Sequence, residues 1–250
     1  MSSTESAINA DEVYLNDSVR HGGCSRVAWL AGYPRSGAAL VRTILAHCFG
    51  HETLSSYSEA KLSDNYRKHL GVFGSGDLAQ DGTGGDVYRI ADDQGLLTVK
   101  THELPDVADY KVPTIVIVRD ARRAFDSLQS WYRQRNKVEI PMEDIITGAH
   151  KWGNWSVWIR KWVGFCHPQT LWLRYEDIMA DGVKANTLLS RRFGIKPISH
   201  AIPSFSTMHA TDPDIFRCAA TSGNGGMTDD QEDMFWDMHG ATMTMLGYYR

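Results

Sequence analysis

Gly32 and Gly37 stand at the GxxxxG spacing of a loop that holds phosphate or sulfate, with Tyr33-Pro34-Arg35-Ser36 between them. Such a loop turns successive backbone N–H groups inward, and the helix that follows adds the positive end of its dipole. After Gly37 come Ala38 and Ala39. A nucleotide hydrolase needs a lysine there for the β- and γ-phosphates and a hydroxyl for Mg²⁺. Arg35 is the one cation inside the loop. Two readings fit these residues: an oxyanion loop that does not use Mg-nucleoside triphosphate, or an ordinary tight strand-to-helix turn.

The other residues capable of chemistry fall where apolar runs end. Val27 to Ala31 leads into the loop, and Leu96-Leu97-Thr98-Val99 runs into Lys100-Thr101-His102. The β-branched run Thr114 to Val118 ends at Arg119-Asp120, and Thr170-Leu171-Trp172-Leu173 ends at Arg174-Tyr175-Glu176-Asp177. Runs of this kind read as buried strands. The stretches 38–49, 52–70, 121–135, 142–163, 183–193 and 228–246 read as helices. Strands alternating with helices predict an α/β fold, a P-loop-like central parallel sheet flanked by helices on both faces. Ligands of open parallel sheets bind outside the carboxyl ends of the strands. One site is therefore expected to collect Arg35, Ser36, Lys100, His102, Arg119 and Tyr175.

The bulk properties narrow the partners. With 250 residues, 42% hydrophobic and 22% charged, the chain can bury a sizeable core. We expect a flexible lead-in over 1–25, a single domain over 26–250 and a mobile glycine-rich loop over 71–95. A net charge of −4 argues against nucleic acid as a partner, because general polyanion binding shows as a basic domain. No apolar run approaches a membrane span, and Met1 to Val19 has no signal-peptide core, which predicts a cytoplasmic protein without a membrane partner. The cysteines Cys24, Cys48, Cys166 and Cys218 form no CxxC pair and read as reduced thiols. His47 and His51 lack an HExxH context, so no metal site is expected.

Taken together, these segments resemble the sulfotransferases that use 3′-phosphoadenosine 5′-phosphosulfate (PAPS), in particular the cytosolic-type, bacterial-like enzymes of small-molecule and specialised metabolism. Tyr33-Pro34-Arg35-Ser36-Gly37 is similar to the family's 5′-phosphosulfate loop. Ile117 to Ser127 is similar to its 3′-phosphate motif, an Arg ending a strand and a Ser eight residues on. Lys100-Thr101-His102 with Leu104-Pro105, Tyr175-Glu176-Asp177, Gly153-Asn154-Trp155 with Trp162, and Leu246-Gly247-Tyr248 resemble further family segments, in the family's order.

The resemblance implies transfer of a sulfuryl group from PAPS to a hydroxyl or amine of a small-molecule acceptor. The product would be 3′-phosphoadenosine 5′-phosphate (PAP), and no metal takes part. It implies His102 as general base, with Lys100 and Arg35 on the sulfuryl and bridging oxygens. It places Arg35, Ser36, Gly37, Ala38 and Ala39 around the 5′-phosphosulfate, Arg119 and Ser127 on the 3′-phosphate, Tyr175 and Phe205 beside the adenosine, and Gly223 in a late loop.

There are departures. Ala38-Ala39-Leu40 replaces two hydroxyls and a Trp, and the late loop Thr221 to Gly226 keeps its glycines without their basic pair. Arg122, Arg123 or Arg217 would then substitute on the 3′-phosphate. Plainer readings stand beside these. Arg119 can pair with Asp120 or Glu176, Phe205 can pack in the core, and Trp152, Trp155, Trp158 and Trp162 can form a core stripe rather than an acceptor wall. Trp131, Tyr132, Asp81 and Asp86 as wall residues would suit a polar or cationic acceptor. The competing functions are a non-catalytic PAP or nucleotide binder and a degenerate P-loop kinase, for which Ala38 and Ala39 supply no chemistry.

Overall fold

A computed structural model describes residues 27–57, 95–105, 112–165, 167–213, 215–217 and 225–250. Five strands, β1 (Val27–Gly32), β2 (Thr53–Ser55), β3 (Leu97–Thr101), β4 (Thr114–Val118) and β5 (Leu171–Arg174), form one sheet in the order β2-β3-β1-β4-β5. All four pairings are parallel, with Leu30 opposite Lys100 on one side and Ile115 on the other. This is the sheet the alternating runs predict.

Successive side chains of a strand point to opposite faces, and the two faces bury different cores. Ala28 and Leu30, Ile115 and Ile117, and Leu171 and Leu173 pack against α1 (Ala38–Phe49), α5 (Tyr175–Ala180), α6 (Gly182–Phe193) and α7 (Phe205–Thr211). Ala31, Val116 and Val118 face α2 (Ala121–Trp131), α3 (Met142–Thr147), α4 (Trp155–Gly164) and α8 (Asp229–Met245). Helices thus cover both faces. From β1 the chain passes by α1 to β2 at one edge, and from β4 by α2–α4 to β5 at the other. The crevice between the carboxyl ends of β1 and β4 is therefore the switch point at which such sheets bind ligands.

Three expectations need correction. Residues 53–55 form edge strand β2 rather than the start of a helix over 52–70, because Thr53 and Ser55 pair with Thr98 and Lys100 of β3. The helix expected over 121–135 is α-helical only to Trp131 and continues as a π-helical turn over Tyr132–Asn136. The stretch 142–163 is two helices, broken where Gly148 and Gly153 take φ of +83° and +67°. The lead-in, residues 58–94 with Asp81 and Asp86, Cys24, Cys166, Cys218 and Gly223 lie outside the described residues. Cys48 is a buried free thiol.

Candidate active site

The loop after β1 closes on itself where Ser36 N–H donates to Tyr33 O at 3.0 Å. Gly37 caps α1 at φ +114°, a conformation that L side chains avoid. A Cβ there would lie 2.7 Å from Tyr175 Cδ2, so only glycine lets that ring close over the loop. No side chain caps α1, which leaves the N–H groups of Ala38 and Ala39 to a ligand, while Leu40 N–H donates to Gly37 O. The hydroxyl of Ser36 is buried beneath the loop and has no partner. Arg35 takes φ +69°, uncommon for a residue with a side chain. Its Nε donates to Ser127 Oγ and one terminal nitrogen to Ile215 O, each at 3.0 Å.

A cavity of about 620 Å³ opens beside this loop. Arg35, Gly37, Ala38, Ala39, Lys100, His102, Arg119, Ser127, Tyr175 and Phe205 all line it, from the ends of four strands and the starts of the helices that follow. Ser36 lies just under its floor, 1% exposed.

His102 follows β3. Its Nδ1 lies 2.5 Å from Gly32 O. A carbonyl only accepts, so Nδ1 carries the proton and Nε2 keeps a lone pair. Burial, helped by the charges of Lys100, Arg35 and Arg42, holds the imidazole well below its ordinary pKa, against the opposing hydrogen bond to Gly32. At neutral pH the ring is therefore an uncharged acceptor. Its backbone is clamped from both sides. His102 N–H donates to Tyr57 Oη at 2.8 Å, and Trp158 Nε1 donates to His102 O at 2.8 Å. The Tyr57 ring stacks on the imidazole at 5.4 Å, and Trp152 meets it edge-on at 5.3 Å. Lys100 Nζ lies over the Tyr57 ring, 5.6 Å from its centroid.

On the far side of the loop, Arg119 is 8% exposed and stacks on Tyr175, 4.3 Å from the ring centroid. It donates to Arg35 O at 3.2 Å, while its Nε has no partner. The two carboxylates that could have paired it are engaged elsewhere. Asp120 binds Arg122 at 2.7 Å, and Glu176 accepts from Asp120 N and from Tyr248 Oη. Arg122 is thereby tied down, stacks over Trp236 and lies outside the cavity lining, whereas Arg123 and Arg217 belong to it. Arg217 presents a buried Nη1 without a partner. Three orphaned buried donor groups, on Ser36, Arg119 and Arg217, fit an anion with more than one charged end.

Phe205 both lines the cavity and packs against the core, stacked on His209 at 5.9 Å. Trp155, Trp158 and Trp162 are a buried stripe, but Trp152 precedes α4 and lines the cavity. Trp131 lines it as well, whereas Tyr132 packs against the core. Tyr57, Arg42, Lys151 and Trp152 are lining residues that sequence reading passed over or left in the core. Tyr33 joins the two halves of the site, with its hydroxyl 2.9 Å from His150 Nε2 and donating to Gly153 O at 2.9 Å. Among the described residues, no group of three His, Cys, Asp or Glu stands close enough to hold a metal ion.

A family model for the sulfotransferase domain matches residues 26–197. No curated protein matches the chain. Among solved structures, mouse sulfotransferase SULT7A1 complexed with PAP aligns with a TM-score of 0.62 at 20% identity, covering 88% of this chain and 85% of that one. Retinol dehydratase in complex with retinol and PAP aligns at 0.50 and 14% identity, covering 90% and 81%. At these identities the two structures speak to the fold, which is the one described above.

Proposed function

The chain belongs to the sulfotransferase domain family, and on that premise we propose that it moves a sulfuryl group from PAPS to a hydroxyl or amine of a polar small molecule, releasing PAP. Bound PAPS supplies an activated sulfuryl group on a good leaving group. The chain supplies positions and charge, which carry most of the catalysis in transfers of this type. The N–H groups of Gly37, Ala38 and Ala39 and the hydroxyl of Ser36 are suited to the 5′ end. The Arg119 guanidinium, held over the Tyr175 ring, and Ser127 are suited to the 3′-phosphate, with Arg217 in place of the missing basic pair. Tyr175 and Phe205 would flank the adenosine, and Lys100 with Arg35 would oppose the negative charge that grows on the oxygens during transfer. His102 Nε2 takes the acceptor's proton. A cytoplasmic location belongs to the same proposal.

The observation that carries this reading is the His102–Gly32 hydrogen bond. It fixes the tautomer that a general base needs, on the carboxyl edge of the sheet and within reach of the charges of Lys100, Arg35 and Arg42. Replacing His102 by Ala is expected to lower the transfer of radiolabelled sulfur from PAPS by at least about 10²-fold, the usual contribution of a positioned base. PAP affinity should be largely retained. Transfer at the unaltered rate would remove His102 from the mechanism.

A further inference from the structure

The charge carried by the cavity lining bears on the choice of substrate. The described lining carries eight Lys or Arg side chains and a single carboxylate, Asp126. Four of those cations are committed elsewhere. Arg119 and Arg217 are the pair proposed above for the 3′-phosphate, Arg135 pairs with Asp212 at 3.0 Å, and Arg42 donates to Thr53 Oγ1 at 2.8 Å.

Lys151 is different. It lies in the loop between α3 and α4, and its ammonium sits over Trp152 at 4.4 Å and Tyr57 at 5.9 Å, the two rings that also enclose His102. No described carboxylate comes within ion-pair distance of it. An exposed cation–π contact is worth only about 0.5–1 kcal/mol, so the ammonium can leave the rings for an anion.

The loop that presents it is not free to drift. A Cβ on Gly148 would lie 2.4 Å from Asn154 N, so the turn closes only with glycine. Asn154 Oδ1 caps α4 by accepting from Val157 N–H, and Tyr33 of the phosphosulfate loop holds His150 and Gly153. Lys151 and Trp152 are thus anchored to the same element that would bind the donor.

We propose that the acceptor is a planar, aromatic hydroxyl compound that carries a carboxylate or similar anionic group, the ring packing against the Tyr57–Trp152 pair, whose centroids are 5.5 Å apart, and the anion meeting Lys151. The inference rests on the sulfotransferase reading. It runs opposite in sign to the cationic acceptor that Asp81 and Asp86, outside the described residues, would have favoured.

The test uses the PAP-loaded chain and three phenols that differ in the para substituent: 4-hydroxyphenylacetate, 4-methylphenol and tyramine. The anionic phenol should bind about fivefold tighter than the neutral one, the scale of one exposed ion pair, and tyramine weakest. Lys151→Glu should reverse the order of the two charged phenols, and Lys151→Met should level it, with PAP affinity unchanged in both variants. Tyramine binding tightest, an order indifferent to Lys151→Glu, or no binding of any of the three to PAP-loaded protein would overturn the proposal. Failure of PAP itself to bind would overturn the sulfotransferase reading together with it, and the PAP titration that precedes the phenols separates the two failures.

Discussion

His239 lies on α8 with no exposure to solvent, its Nε2 2.9 Å from Ile146 O and its Nδ1 2.8 Å from Ser156 Oγ. Burial lowers its pKa to about 4, more than the hydrogen bond to Ile146 raises it. The native ring stays neutral while the unfolded one takes up a proton near pH 6.5. The unfolded state thus binds more protons between those two values, so stability is complete above about pH 6.5 and falls as pH drops toward 4. From His239 alone the loss is about 2 kcal/mol at pH 5. Urea unfolding at pH 7 and pH 5 should show it, and equal midpoints would mean that the ring is solvated or already charged. His102 and His150 shift in the same direction for the same reason. At this scale His102, Lys100 and Arg119 were legible because each ends an apolar run, which local pattern reveals. Tyr57, Lys151 and the Tyr33–His150 contact were not, since pairs 45 to 117 positions apart leave no mark on local sequence.

At the scale of elements, the family-like segments Tyr175-Glu176-Asp177 and Leu246-Gly247-Tyr248 turn out to be two halves of one joint. Tyr248 Oη donates to Glu176 Oε2 at 2.7 Å, Glu176 Oε1 accepts from Asp120 N–H at 3.0 Å, and Arg174 stacks on the Tyr248 ring at 4.4 Å. The joint ties the end of β4, the start of α5 and the chain's last residues together behind Arg119. Tyr248→Phe keeps the ring and removes a charge-assisted hydrogen bond, which should cost about 1.5–3 kcal/mol in chemical denaturation. A loss below about 0.5 kcal/mol would show the joint to be dispensable. Strands and helices of the core were readable from periodicity. Edge strand β2 was not, because three residues, Thr53 to Ser55, are too few to carry a period and are held by pairing with β3. The break between α3 and α4 was signalled only by Gly148 and Gly153, whose positive φ is settled by the contacts of Asn154 and Tyr33.

For the molecule as a whole, an acidic chain concentrates positive charge at one crevice. The sequence carries a net charge of −4, yet the charged residues of the described cavity lining are eight Lys or Arg against the single carboxylate of Asp126. That contrast follows from topology. Parallel strands deliver Arg35, Lys100 and Arg119 to the same edge, while Asp230, Asp233 and Asp237 of α8 lie exposed together on the outer surface. Strand-end chemistry made the general location of the site readable from sequence, but Tyr57, Lys151 and Trp152 join its lining through loops that only the folded chain brings together.

The most direct test of the central claim is calorimetric titration of the intact protein with PAP in the absence of metal, against ATP with Mg²⁺ as control. Binding of PAP in the micromolar range or tighter is expected, with little response to Mg-ATP. No binding of PAP, or a preference for Mg-ATP, would contradict it. Either result would mean that the crevice built around Ser36, Arg119 and Arg217 serves some other ligand.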